Sequence, residues 1–259
     1  MTVILAGTWQ PRGELNRLKR LYDQICDLYD EFVLAVSVKG LVDEVESSLS
    51  ELNIPYVTYA DYSGRYTVLQ KATEFSFDYL HYADFDRLLH WLETRPDELR
   101  DAITHIQKAD CTVIGRTEEA FGTHPQSMIQ TEKLFNDVFS NYLGQSMDFG
   151  AGSRGFSRHA VETILDQCTN KESLQMDVGW TVLLEHANLA IQYLAVDGLD
   201  WETPDQFRDE VATEEIRQKF IEKADANPKN WALRVQVAQK IMQSGLNALN
   251  QPINVNSEE

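Results

Sequence analysis

Three short apolar runs dominate the first sixty residues: TVILAGT (Thr2 to Thr8), EFVLAVSV (Glu31 to Val38) and IPYVTYA (Ile54 to Ala60). Between them, Leu15, Leu18, Leu21, Tyr22, Ile25 and Leu28 recur at helical spacing, and Leu41, Val42, Val45 and Leu49 do so again. Each run carries apolar residues on both faces, so each predicts a strand covered above and below. Strand–helix alternation of this kind implies parallel strands joined by right-handed crossovers. This pattern, more than any other in the chain, restricts the fold to an α/β class with a mainly parallel sheet flanked by helices.

The alternation continues. Tyr66, Leu69, Thr73 and Phe77 predict a helix after Gly64, and YLHYAD predicts a further strand. A helix is expected from Pro96 to Lys108, with Thr94 as a cap and Asp97 and Glu98 in its first turn. DCTVIGR (Asp110 to Arg116) and AIQYLAV (Ala190 to Val196) read as strands; 127–143, 158–168 and 177–189 read as helices. Beyond about residue 205 only helices are expected, which divides the chain into a main unit over 1–205 and a helical C-terminal extension over 206–259. In that extension Trp231, Val235, Ala238, Met242 and Leu246 make an apolar stripe, to be buried against the main unit or in a homodimer contact. The ending NVNSEE reads as a frayed tail.

A chain of 259 residues with 43% hydrophobic and 10% aromatic residues can build a real core. Its net charge of −18 argues against nucleic-acid partners and against anionic lipid, both of which need clustered Lys and Arg. An anionic ligand would need a local device: a metal, a helix N-terminus or a few placed cations. Cys26, Cys111 and Cys168 are scattered and odd in number, and read as buried thiols of a reducing compartment. No run approaches the roughly 20 apolar residues of a membrane span, so a soluble cytoplasmic protein is expected.

YADFDR (Tyr82 to Arg87) puts Asp84 and Asp86 two residues apart at the end of the fourth expected strand. On a strand, residues i and i+2 share a face. The carboxyl ends of strands are where open α/β sheets bind ligands. The pair reads either as a divalent-metal site or as a polar turn and helix cap. Arg65 and Lys71 follow the third strand and read as phosphate contacts or as a solvated helix face. Arg154 and Arg158 flank GFS, one suited to a turn or an ion pair and the other to an anionic ligand. Gly150, Gly152 and Gly155 precede a helix N-terminus and form a weak phosphate-loop signal. Trp9, Tyr62, Tyr66 and Trp180 are core aromatics or ring-stacking residues, with one or two expected at a ligand.

Taken in order, these segments resemble the GT-A glycosyltransferases, especially those of the family 2 and family 81 type, over residues 2–205. SGRYTVLQKATEF is similar to the segment that lies beside the nucleotide, YADFD to the D-x-D motif, and ADCTVIGR to the strand after it. NDVFSNYLGQSMDFGAGSRGFSRHAVETIL resembles the acceptor half, and QMDVGWTVLLEH the segment carrying a catalytic acid. Two features depart from the pattern. AGTWQPRGEL lacks the family's Asn-Glu turn, and AVSVKG lacks the acids that hold base and ribose, so the nucleotide is left open between UDP and GDP.

The resemblance implies a Rossmann-related GT-A fold and transfer of a sugar from a nucleotide-sugar donor to an acceptor hydroxyl, the acceptor being unspecified. It implies Mg²⁺ or Mn²⁺ on Asp84 and Asp86, with His186 completing the shell, and donor contacts from Gly7, Arg65, Lys71, Asp84 and Arg154. It puts Asp177 in the place of the general base, a residue that otherwise reads as a helix N-cap; His186 otherwise reads as structural. A metal would let an acidic protein hold an anionic diphosphate. Two other readings share the fold: a degenerate, non-catalytic binding protein and a sugar-1-phosphate nucleotidyltransferase. A glycoside hydrolase using Asp84 and Asp177 is a more distant alternative.

Overall fold

The computed structural model describes residues 1–251. Seven strands form one sheet: β1 (Val3–Trp9), β2 (Glu31–Ser37), β3 (Tyr56–Tyr59), β4 (Tyr79–Asp84), β5 (Cys111–Arg116), β6 (Ser153–Ser157) and β7 (Ile191–Val196). Their order is β3-β2-β1-β4-β6-β5-β7, and all neighbours are parallel except β6, which runs antiparallel to β4 and β5. The expected α/β architecture with a mainly parallel sheet is therefore present. The helices are α1 (Leu15–Leu28), α2 (Asp43–Glu51), α3 (Gly64–Ala72), α4 (Phe85–Thr94), α5 (Pro96–His105), α6 (Glu118–Gly122), α7 (Gln126–Leu143), α8 (Arg158–Gln167), α9 (Gly179–His186), α10 (Glu214–Asp225) and α11 (Pro228–Asn250).

Two-sided burial of the strands follows from their sequence. In β1, Ile4 and Ala6 face a core with Val68, Leu69 and Phe135, while Val3, Leu5 and Trp9 face another with Leu18, Ile25 and Leu88. Helices α3, α7, α8, α9 and α11 contribute to the first layer and α1, α2, α4 and α5 to the second. Ser157 and Thr117 begin helices directly at strand ends, each accepting a bond from a backbone N–H three residues on.

Several expected boundaries move. Helix α3 stops at Ala72, and Phe77 is buried in the lead-in to β4. Thr94 does not cap α5, because its hydroxyl bonds back to the His90 carbonyl. Strand β4 ends at Asp84 and α4 begins at once with Phe85, so Asp84 and Asp86 do not share a strand face. Phe85 causes this abrupt turn: it is fully buried, edge-on to Trp9 at 5.5 Å and stacked on Phe32 at 6.4 Å.

Cys26 is exposed rather than buried, whereas Cys111 is a core thiol pushed up to about 12 by burial. Helix α11 packs back on the chain through a stripe that shares Ala238 and Met242 with the expected one but is rotated from it. Ala238, Ile241, Gly245 and Ala248 face inward, while Val235 and Leu246 are exposed. Gly245 lies so close to Phe139 that a Cβ there would overlap the ring. The contact face is thus set by small residues around Ile241, with Met242 packed at its margin, while Val235 and Leu246 were a misleading guide. The expected tail at 254–259 lies outside the described residues. Among the described residues, no helix is long and apolar enough to cross a membrane.

Candidate active site

The carboxyl ends of β1 and β4 lie side by side, with Thr8 opposite Asp84. Asp84 stands at the cap position of α4, where an aspartate ordinarily accepts from the first free N–H groups of the helix. It makes no such bond. Instead its carboxylate turns to Arg65, with Nη2 at 2.9 Å from Oδ2 and Nε at 3.3 Å from Oδ1. The Tyr82 hydroxyl donates to Oδ1 at 2.6 Å, and Thr8 donates at 3.3 Å. Burial pushes the Asp84 carboxyl up, but Arg65 and Arg87 outweigh it and hold it below the ordinary range.

Arg65 comes from the first turn of α3. Gly64 before it packs against the Tyr59 ring, where a Cβ would sit 2.8 Å from Cζ. That close approach brings the start of α3 onto the sheet edge. The same guanidinium reaches Asp177, Nη1 to Oδ1 at 2.8 Å. Asp177 lies just before α9, 5% exposed, with its carboxyl raised by burial despite Arg65 and Arg154. Arg154, fully buried in β6, donates to the carbonyls of Phe149 and Asp177 at 2.7 and 2.8 Å. It fixes the backbone on which Asp177 is carried.

The structure thus brings Arg65, Asp84 and Asp177 together, with Arg154 behind them. Asp86 lies in the first turn of α4, where burial, Glu202 and Asp84 raise its carboxyl. Gln206 reaches its Oδ2 at 3.5 Å. Other residues of the sequence reading lie elsewhere. Lys71 pairs with Glu74 at 2.5 Å on the surface of α3. Gly7 faces the core, where a Cβ would meet Leu34 at 2.9 Å. His186 is at the far end of α9, two helical turns beyond Asp177, with Nε2 at 2.9 Å from the Tyr142 hydroxyl. Arg158 pairs with Glu162 at 2.9 Å. Of the four aromatics, Trp9, Tyr66 and Trp180 are core, and Tyr62 is exposed at the site.

A cavity of about 490 Å³ opens beside Arg65, lined by Thr8, Ser37, Lys39, Tyr59, Tyr62 and Lys240 among others. Sequence reasoning did not find Lys39 or Lys240. Lys39 had a signal, since it follows a strand end; Lys240 had none, because only the packing of α11 brings it here. A larger cavity of about 920 Å³ lies between α7 and β7, lined by Arg116, Asn136, Asp148 and Tyr193. It shares no residue with the Arg65 cluster, so size alone does not identify the site.

Among the described residues no group of three or more His, Cys, Asp or Glu is arranged to hold a metal by itself. The donor set suits a hard cation shared with a ligand: one carboxylate, Asp84, with the remaining oxygens from phosphate and water. Room beside that carboxylate is kept by Gly152, whose φ of +70° suits glycine and on which a Cβ would overlap Asp84 Oδ2.

No protein-family model matches the sequence, and no curated protein matches it. Solved structures do match its fold. Glucosyl-3-phosphoglycerate synthase from Mycobacterium tuberculosis, in complex with Mn²⁺, uridine diphosphate and phosphoglyceric acid, superposes with a TM-score of 0.55 at 10% identity. The match covers 98% of this chain and 80% of that one. Another structure of the M. tuberculosis synthase gives 0.53 at 12% identity, covering 98% and 82%. A structure described as a mycobacterial protein gives 0.56 at 12%, covering 98% and 76%. The fold of this chain is that of the GT-A glycosyltransferases, as the resemblance in its sequence implied.

Proposed function

We propose that this protein is a nucleotide-sugar-dependent glycosyltransferase that binds its donor in the cavity beside Arg65. The observation that carries the reading is the convergence of Arg65, Asp84 and Asp177 at the carboxyl edge of a GT-A sheet, next to a cavity with two further cations. In a chain of net charge −18, Arg65, Lys39 and Lys240 supply local positive charge where a diphosphate would lie. Ser37 and Tyr59, at the ends of β2 and β3, line the part of the cavity open to a base or ribose.

Asp84 would hold a divalent cation, Mg²⁺ or Mn²⁺, which when bound neutralises charge on the departing nucleoside diphosphate. Asp177 is the group for proton transfer. In an inverting transfer the acceptor hydroxyl oxygen bonds to the anomeric carbon as the bond from that carbon to the diphosphate oxygen breaks. The hydroxyl proton passes to the Asp177 carboxylate, and the nucleoside diphosphate leaves with the bonding pair. Burial raises the proton affinity of Asp177, which favours that role. Uridine diphosphate and Mn²⁺ in the solved synthase make UDP-sugars and Mn²⁺ the first to test.

A thermal-shift screen of UDP-, GDP- and ADP-sugars, each with and without Mn²⁺, tests the proposal, because a ligand that binds the native state raises its melting temperature by mass action. One nucleotide class should raise it in a metal-dependent way. No shift with any of them would refute the transferase reading.

A further inference from the structure

One guanidinium engages both functional carboxylates at once. Arg65 Nη2 and Nε face the two oxygens of Asp84 at 2.9 and 3.3 Å, while Nη1 lies 2.8 Å from Asp177 Oδ1. Nε also meets the Tyr82 hydroxyl at 3.1 Å. The segment before α9 holds the arginine from behind: the Ser173 hydroxyl accepts from the Arg65 backbone N–H at 3.2 Å, and its carbonyl accepts from Nη1 at 3.4 Å. A carboxylate with both oxygens turned to a guanidinium is already neutralised and has little left to offer a cation. The Asp177 oxygen that meets Nη1 is likewise occupied and cannot take a proton there while the arginine stays.

Resting on the transferase reading, we propose that Arg65 is a latch. In the free protein it masks Asp84 and Asp177 together, and the donor's diphosphate releases both by taking the guanidinium. A diphosphate can do this because it presents the same acceptor geometry as a carboxylate, with more charge. It would arrive from the side where Arg65 lines the cavity with Lys39 and Lys240. The Arg65 side chain is 12% exposed, so it can be met from that side without unfolding α3. Two consequences follow. Cation binding at Asp84 depends on nucleotide, and Asp177 is freed only when a donor is present.

The test is Mn²⁺ binding to the full chain, read by calorimetry and by the electron paramagnetic resonance signal of free Mn²⁺. Titrations are run alone and with UDP or GDP, with protein-free Mn²⁺–nucleotide mixtures as the baseline. Wild-type protein should bind Mn²⁺ at least tenfold more weakly without nucleotide than with it. Arg65→Met should bind Mn²⁺ alone at least tenfold more tightly than wild type. Arg65→Lys, whose single ammonium cannot face both acids as a fork does, should fall between. If wild-type protein binds Mn²⁺ equally well with and without nucleotide, the latch is wrong even if no Arg65 variant folds. Unchanged Mn²⁺ affinity in a folded Arg65→Met also overturns it. Both of those results leave the transferase reading intact when nucleotide still binds. Failure of UDP and GDP to bind wild-type protein under every condition overturns the two together.

Discussion

Arg65, in the first turn of α3, and Arg116, at the end of β5, each lie between two carboxylates, and the rest of their surroundings differ. Arg116 meets Asp148 at 2.7 Å and Glu132 at 2.5 Å, with its guanidinium 4.5 Å from the Phe121 ring centre. Asp148 also accepts from Asn136 at 2.9 Å and from the backbone N–H groups of Arg116 and Gly150. The Arg116 side chain is 0% exposed. Burial pushes Asp148 up, but Arg116 and these donors outweigh it and hold its carboxyl far below the ordinary range. Around Arg65, Asp84 accepts from the side chains of Arg65, Tyr82 and Thr8 and is 21% exposed, and the arginine side chain is itself 12% exposed. The same three charges make a permanent brace in one place and an exchangeable contact in the other. A cavity adjoins each arginine; what separates them is that Arg65 keeps exposed surface for an alternative anion and Arg116 keeps none.

The largest expected effect separates chemistry from bracing. Asp177→Asn should lower turnover by about a hundredfold to ten-thousandfold with nucleotide binding nearly unchanged. Steady-state kinetics alongside calorimetry checks this, and a parallel loss of binding would remove the distinction from Asp148. Next, Arg116→Met should cost about 3–5 kcal/mol in denaturant unfolding, because it strands two buried acids. Arg65→Met should cost less, since water can reach Asp84. Equal losses would erase the contrast.

His90 provides a third case. Its ring lies between Asp205 at 2.5 Å and Asp200 at 2.7 Å, with Arg17 3.5 Å from Asp205 and Arg217 2.7 Å from Asp200. Burial lowers its proton affinity, but the two aspartates outweigh this and raise it from 6.5 to about 9. The folded value lies above the unfolded one, so the contribution is complete below pH 6.5 and lost as pH rises through about 9. It is on the order of 3 kcal/mol. His90→Gln should flatten the fall in stability across that window, measured by unfolding at a series of pH values. An unchanged slope would mean that His90 is not a charged brace.

Gly152→Ala should cost roughly 1–3 kcal/mol through its positive φ. It should also weaken UDP binding, because the new Cβ meets Asp84. Melting and titration of the same sample separate the two. The smallest effect is at Leu246→Ser, expected within about 0.5 kcal/mol because that side chain is 41% exposed. A large loss there would restore the stripe read from the sequence.

The α/β alternation was legible because two-sided strands and amphipathic helices carry strong periodic signals. Nearly every strand could be placed to within two or three residues. The sheet order, including antiparallel β6 between β4 and β5, depends on long-range pairing that no local period records. Asp84 was visible as a strand-end acid, and Arg65 as a cation after the third strand. Their bond was not, since nineteen residues separate them and only the fold brings α3 onto the edge. Asp86 was misjudged as sharing a strand face with Asp84 because a buried Phe85 turns the chain into a helix one residue early. Lys240 was invisible for the reason that hid the packing of α11: its small-residue contact face carries a weaker hydrophobic signal than the larger residues beside it.

The most direct test of the central claim is calorimetric titration of UDP and GDP, with Mn²⁺ present, into wild-type protein, Asp84→Asn and Asp148→Asn. The account predicts that one nucleotide binds the wild type, that Asp84→Asn weakens it at least tenfold, and that folded Asp148→Asn binds within about threefold of wild type, a difference of under about 1 kcal/mol. Equal binding by wild type and Asp84→Asn, or no binding of either nucleotide to the wild type, would contradict it.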